Sequence, residues 1–329
     1  MKILVTGGTG FIGKALLQRL VMHPDHQVSG STRTPPTKPF IAPLIPVGPS
    51  NSATDWSAAL QGVDVVIHVA AHLNTRSVKG IDPLIELRRT NVDGTLALAR
   101  QALAAGARRF IFISSLGVNG TTSSGAPFDE CSPPAPADDY ARSKLEAEHA
   151  LQALLQGTAM DLVIIRPPLV YAAHAPRNFP RLMGWVFSGV PMPFGSVDNQ
   201  RSMIALDNLV DFIALCIKHP AAANQLFLVS DGVDMSTAQI VQHLATGMGR
   251  KARLFPVPDA LLYWGARLLG KGAMYSTLCA SLQVDSGKAR QLLGWTPRLT
   301  PEDALFKSGR DFRSNASSSH RSTQENKAS

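Results

Sequence analysis

Little in this sequence can form cross-links, and little of it is charged. Its 329 residues include three cysteines, Cys131, Cys216 and Cys279. Three widely separated thiols provide neither a disulfide framework nor a zinc-ligand spacing, and they suit a reducing cytoplasm, where we place the chain. Aromatics make up 6% and charged residues 17%. No run of Lys and Arg is interleaved with aromatics, so nucleic acid is not the expected partner. No apolar run reaches membrane-spanning length, and the chain enters a strand pattern at once with no leader ahead of it. The stretch "ALLYWGARLLG" (260–270) is amphipathic and is read as a core-facing helix rather than a membrane-surface one. His68 and His72 lie in a strand-and-loop pattern with no third ligand near them, so no metal site is expected. No nucleophile-elbow sequence supports a serine hydrolase.

What is present points to an α/β enzyme. Hydrophobic residues make up 45% of the chain, and the mean hydropathy is +0.04. The net charge of +8 and pI near 9.6 suit anionic partners such as phosphorylated metabolites. Short apolar runs ("MKILVTG", "HQVSGSTR", "VDVVIHVAA", "RRFIFISS", "MDLVIIRPP") alternate with helical patterns, the signature of a Rossmann-type, doubly wound parallel sheet. After Pro167 the rhythm breaks into a Pro-, Gly- and aromatic-rich stretch. The expected organisation is a dinucleotide-binding domain over 1–167 plus about 203–232. A smaller interleaved C-terminal substrate domain covers 168–202 plus about 233–308, with a disordered tail from 309 to 329.

The turn "TGGTGFIG" joins the first strand to the first helix and places Gly7, Gly10, Phe11, Ile12 and Gly13 against a pyrophosphate. Gly8 offers a second register of the same motif. The second strand ends "GSTRTPP", with Arg33 where a ribose-binding acid would stand, so NADP is expected over NAD. "FIFISS" delivers Ser115 to the carboxyl edge of the sheet. In "DDYARSKLEAEHAL", Tyr140 and Lys144 are spaced i, i+4 on one helical face. A nearby ammonium favours a phenolate, so the spacing predicts that Lys144 lowers the Tyr140 pKa. With Ser115 orienting a substrate oxygen, the three make a proton-transfer unit for a carbonyl or alcohol.

On "TGGTGFIG", "SSLGVNG" and "YARSK" the chain resembles the extended short-chain dehydrogenase/reductases, in particular the nucleotide-sugar epimerases, dehydratases and 4-reductases, over about residues 1–308. That resemblance implies Ser115, Tyr140 and Lys144 as the catalytic set, with Lys144 also holding the nicotinamide ribose. It adds Asn91 in "RRTNVDGT", Ala70 in "HVAA" and Pro167 in "RPPLVY" to the cofactor site. It implies Asn178 in "RNFPRLM" and Arg201 in "RSMIALDNLV" as contacts to a sugar-nucleotide diphosphate, and a homodimer. The expected activity is NADPH-dependent reduction of the C4 ketone of a UDP-4-keto-6-deoxy-hexose, as in UDP-N-acetylquinovosamine formation for bacterial surface polysaccharide. The alternatives are a UDP-glucose or UDP-N-acetylglucosamine 4-epimerase, a reductase of a non-nucleotide ketone, and, from another class, a non-catalytic NADP-binding sensor.

Overall fold

A strand covered on both faces needs an uninterrupted apolar run, and "ILV", "VVI", "FIFI" and "LVII" supply them. The computed structural model describes residues 1–73, 82–123 and 125–325, apart from the side chains of 273 and 318–325. In chain order the elements are β1 (Lys2–Thr6), α1 (Phe11–Leu20), β2 (Gln27–Thr32), β3 (Leu44–Pro46), α2 (Ser57–Leu60), β4 (Val65–His68) and α3 (Pro83–Leu87). Next come α4 (Gly94–Ala104), β5 (Arg109–Ile113), α5 (Asp139–Leu155), β6 (Asp161–Arg166), β7 (Leu169–Tyr171), α6 (Asn178–Ser188), β8 (Met203–Ala205), α7 (Leu206–Lys218) and β9 (Gln225–Leu228). The remainder is helical: α8 (Thr237–Gly247), α9 (Asp259–Leu268), α10 (Gly272–Cys279), α11 (Gly287–Leu293) and α12 (Pro301–Glu325).

Seven strands form one parallel sheet in the order β3-β2-β1-β4-β5-β6-β9. This is the Rossmann-type doubly wound arrangement. Leu4 in β1 pairs with Ser29 of β2 on one side and Val66 of β4 on the other. The direction of winding reverses between β1 and β4, and the carboxyl ends there open the ligand crevice. One face of the sheet is covered by α1 and α7 through Leu16, Leu17, Leu209 and Phe212. The other is covered by α4 and α5 through Leu98, Ala102, Ala147 and Leu151.

A second apolar cluster lies outside the sheet. It gathers Tyr171, Phe179, Met183, Val186 and Met203 with Ile240, Leu244 and Leu305. The short parallel pair β7–β8 runs alongside it. Where a disordered tail was expected from residue 309, α12 runs on to Glu325, and residues 326–329 of that tail lie outside the described residues. Its inner face carries Ala304, Leu305, Ser308 and Gly309, all buried, with Phe312 half-buried. A Cβ at Gly309 would overlap Leu244 O, and one at Gly247 would overlap Phe306 O. The two glycines let α8 and α12 cross backbone to backbone. Ala304, Ser308 and Gly309 make much of the inner stripe small, so its apolar signal in the sequence is weak.

Candidate active site

The turn after β1 is built for close approach. Gly7 has φ +65°, and a Cβ there would stand 3.0 Å from the backbone of Ala70. A Cβ at Gly13 would overlap Gly7 O, and one at Gly10 would lie 3.1 Å from the same oxygen. Gly7, Gly10 and Gly13 thus crowd together around the Gly7 carbonyl. Gly8 packs the turn against Leu17 and Gly30 instead. α1 begins at Phe11 with no side-chain cap, leaving its first N–H groups for an anion. Phe11 and Ile12 are half-buried there, with the Phe11 ring edge-on to His174. Arg33 follows β2, exposed and without a salt bridge among the described residues.

A glycine lets the turn that carries Ser115 approach the start of α5. Ser115 caps a short 3-10 turn, Leu116–Val118, by accepting from Gly117 N at 3.1 Å. A Cβ on Gly117 would stand 3.3 Å from Ser115 Oγ and 3.4 Å from Ala141 Cβ. This packs the end of β5 against the first turn of α5. Asp138 is the N-cap of α5, accepting from Ala141 N at 2.7 Å, and Tyr140 follows in that first turn. Leu116 N donates to Pro167 O at 2.9 Å, so Pro167 closes the same wall from β6.

The electrostatics correct one expectation. Burial pushes the Tyr140 phenol up to about 12, Asp138 adds to the rise, and the opposing charge is Arg177 rather than Lys144. Lys144 is itself desolvated, with its value lowered to about 7, and so carries a weakened charge. Its Nζ lies 4.0 Å from the centroid of the Phe112 ring, and no protein hydrogen bond holds it among the described residues. Arg177 stands at φ 75° and ψ −120°, a strained non-glycine conformation at the start of α6. Its Nη2 donates to Leu73 O at 2.9 Å, joining α6 to the loop after β4.

Beneath Lys144 lies a buried ion pair, Glu148 with Arg166, that the sequence did not single out. Glu148, one turn further along α5, accepts from Arg166 Nε at 3.0 Å and from the Ser114 hydroxyl. Arg166 Nη1 also donates to Asn119 Oδ1 at 3.0 Å. The available signals were Glu148 at i+4 from Lys144 between Ala147 and Leu151, and an arginine ending an apolar strand.

Asn91 sits in a π-helical segment, Arg88–Asp93, between α3 and α4. Its Oδ1 accepts from His72 N at 2.7 Å, and its Nδ2 donates to His72 O and to Ser143 Oγ, both at 3.0 Å. In this structure Asn91 thus holds the loop after β4 against α5. His68 is buried between Thr6 and Thr95. Thr95 Oγ1 gives its proton to Asn91 O, so it accepts from His68 Nε2–H at 2.9 Å. Thr6 then donates to Nδ1 at 2.7 Å. Burial and Lys144 hold His68 neutral, with its value lowered to about 3. Among the described residues no cluster of ligands could hold a metal.

The substrate-side residues are less converged. Asn178 is exposed at the first position of α6. Arg201 is half-buried, and its Nη1 donates to Ala280 O at 2.7 Å. No carboxylate pairs with it among the described residues, and burial lowers its pKa. Tyr171 forms no part of this wall. It is buried, and its hydroxyl donates to Asp231 Oδ2 at 2.8 Å.

A parallel sheet in this order, with a glycine turn at β1 and a Ser–Tyr–Lys set at β5 and α5, defines a dinucleotide-dependent enzyme of the short-chain dehydrogenase/reductase type. The chain belongs to the NAD dependent epimerase/dehydratase family, whose model matches residues 3–229. It is 42% identical over 312 residues to a UDP-glucose 4-epimerase of Vibrio cholerae, covering 94% of this chain and 95% of that one. It is 27% identical to a UDP-glucose 4-epimerase of Mycolicibacterium smegmatis, covering 95% and 99%. The structure of a UDP-glucuronic acid 4-epimerase from Bacillus cereus in complex with NAD has the same fold, with a TM-score of 0.76 at 22% identity, covering 96% and 99%.

Proposed function

We propose that the chain interconverts the C4 epimers of a UDP-hexose, with UDP-glucose or UDP-N-acetylglucosamine as substrate. The observation that carries this reading is the 42% identity to the Vibrio cholerae 4-epimerase along nearly the whole of both chains. It favours the epimerase alternative over the 4-keto-reductase. The site is consistent with it. Lys144 and Arg201 are basic groups removed from water with no carboxylate salt bridge among the described residues, and such groups call for an anionic or hydroxyl-rich ligand.

The residues present fit a dinucleotide, because the Gly7-Gly10-Gly13 cradle has no room for a Cβ and the start of α1 has no cap of its own. When bound, that cofactor supplies hydride transfer at the sugar C4 and, in its oxidised form, a positive ring. Tyr140 takes the C4 hydroxyl proton as C4 is oxidised and returns it after the 4-keto sugar has turned. Ser115 orients the oxygen in both half-reactions. Lys144 holds the ribose hydroxyls, and Arg201 and Asn178 grip the diphosphate. A phenol near 12 is protonated at neutral pH. It is therefore ready as the acid for the ketone, and it needs added positive charge to act as the base. An epimerase returns its hydride and draws on no NADPH pool, so Arg33 alone then favours NADP over NAD.

The test is incubation of purified protein with UDP-glucose or UDP-N-acetylglucosamine and no added cofactor, with the C4 epimer read by chromatography. Epimer formation is expected. Stoichiometric NADPH consumption on a UDP-4-keto-6-deoxy-hexose, with no epimer from either UDP-sugar, would overturn the reading in favour of the reductase. Denaturing the protein and separating the released dinucleotide against NAD and NADP standards identifies the cofactor.

A further inference from the structure

The hairpin made by α9 and α10 has its apolar side turned the wrong way for a core. None of the described residues of α9 is buried. Leu261, Trp264 and Leu268, spaced i, i+3 and i+7 on one face, are 64%, 58% and 85% exposed, and Leu269 is 72% exposed. Tyr263 and Met274 are exposed beside them. The hairpin is nevertheless anchored. Leu262 and Leu278 pack on the second apolar cluster, and Asn199 and Arg201 donate to Leu278 and Ala280 carbonyls.

Charge identifies what covers this face. From Arg250 to Lys271 the chain carries Arg250, Lys251, Arg253, Arg267 and Lys271 against Asp259 alone. Asp259 is already engaged by the Tyr275 hydroxyl at 2.8 Å. Arg267 donates to Tyr263 OH at 3.1 Å, which sets a guanidinium at the edge of the aromatic patch. A second copy of this chain would bring the same basic rim and the same net charge of +8 to the contact. An anionic bilayer surface accepts the apolar side chains and neutralises the rim. Trp and Tyr at the border of such a face match the chemistry of the headgroup region.

We propose that the α9–α10 face docks peripherally on an anionic membrane surface, with Leu261, Trp264, Leu268 and Leu269 inserted and Arg267 and Lys271 at the headgroups. No helix among the described residues is long and apolar enough to cross a membrane, so the attachment is interfacial. The anchoring bonds tie the hairpin to Arg201, the residue proposed above to grip the diphosphate.

The experiment uses the full chain with vesicles of phosphatidylcholine alone or of equimolar phosphatidylcholine and phosphatidylglycerol. Co-sedimentation with the anionic vesicles is expected at low salt, at least about tenfold weaker on the neutral ones or at high salt. A blue shift of tryptophan emission is expected, and is lost in Trp264→Phe. The double variant Leu268→Glu with Leu269→Glu is expected to bind at least about tenfold more weakly with its melting temperature and UDP-glucose turnover unchanged. Absence of vesicle binding by the wild type overturns the proposal, as does full retention of binding in the double variant. Sedimentation velocity covers the other occupant. Self-association that the same variant abolishes, with no vesicle binding, assigns the face to a second copy and overturns the membrane reading.

Discussion

Tyr140 carries no hydrogen bond from its phenol to any described residue, so removing the oxygen takes nothing from the fold. Tyr140→Phe is expected to fold with an unchanged melting temperature and to lose about 10²–10⁴-fold in kcat, the usual worth of one positioned acid–base group. A parallel loss of stability would show that the hydroxyl is structural. His68 behaves in the opposite way. Its folded value near 3 lies below its ordinary 6.5, so as pH falls the unfolded chain takes up the proton first. The stability contribution is complete above about pH 6.5 and is lost as pH drops toward 3, at about 1.4 kcal/mol per pH unit for one proton. Urea denaturation at a series of pH values is expected to show this acid limb in the wild type. In His68→Gln the slope is expected to be shallower by about one proton between pH 6 and 4. Both residues were visible in the sequence, but only Tyr140 announced a role, because its spacing to Lys144 is local. The Thr6–His68–Thr95 chain joins β1, β4 and α4, and nothing in the order of residues brings them together.

The elements of the sheet were readable because each strand must be apolar throughout and each helix on one face. The glycine turn was readable too, with two registers on offer, and the packing of Gly8 against Leu17 was not visible in it. Gly13→Ala is expected to push α1 off the β1 turn and to weaken dinucleotide binding at least about tenfold in calorimetry, since its Cβ would fall on the backbone of Gly7 and Gly8, which has no flexible side chain to give way. The underside of α5 was not readable. Glu148 looks like any helix-surface glutamate until Arg166 arrives from β6 to neutralise it. Glu148→Ala leaves that guanidinium buried without its counter-charge and the Ser114 hydroxyl without its acceptor, at a cost of about 3–5 kcal/mol. The urea midpoint is expected to fall accordingly, and Arg166→Met paired with Glu148→Leu to recover most of the loss. Short elements were also missed. β7 and β8 have three residues each, and the π-helical segment at Asn91 follows no apolar period.

At the scale of the whole molecule, the question is what ties the sheet to the second apolar cluster. One buried carboxylate does much of it. Asp231, just beyond β9, accepts from Ala205 N at the end of β8 at 2.9 Å and from Tyr171 OH of β7 at 2.8 Å. It also accepts from Asn208 Nδ2 of α7 at 2.7 Å. Asn208 in turn donates to Leu299 O and accepts from Arg298 and Leu299 N, fixing the entry to α12. Burial raises the Asp231 pKa, and the three donors oppose that rise. Asp231→Ala strands a buried hydroxyl and a buried N–H, each costing about 1–3 kcal/mol. It also removes one of the links between the sheet and the helices behind it. The expected result is a lower melting temperature and the splitting of one thermal transition into two, with the earlier one accompanied by trypsin cleavage within 168–205 or 298–325. Asp231→Asn keeps the acceptor oxygen for Ala205 N–H but presents an amide to one of the other donors, so its loss is expected to be smaller. A single transition at the wild-type temperature in Asp231→Ala would show that apolar packing across β7 and β8 alone holds the two clusters together.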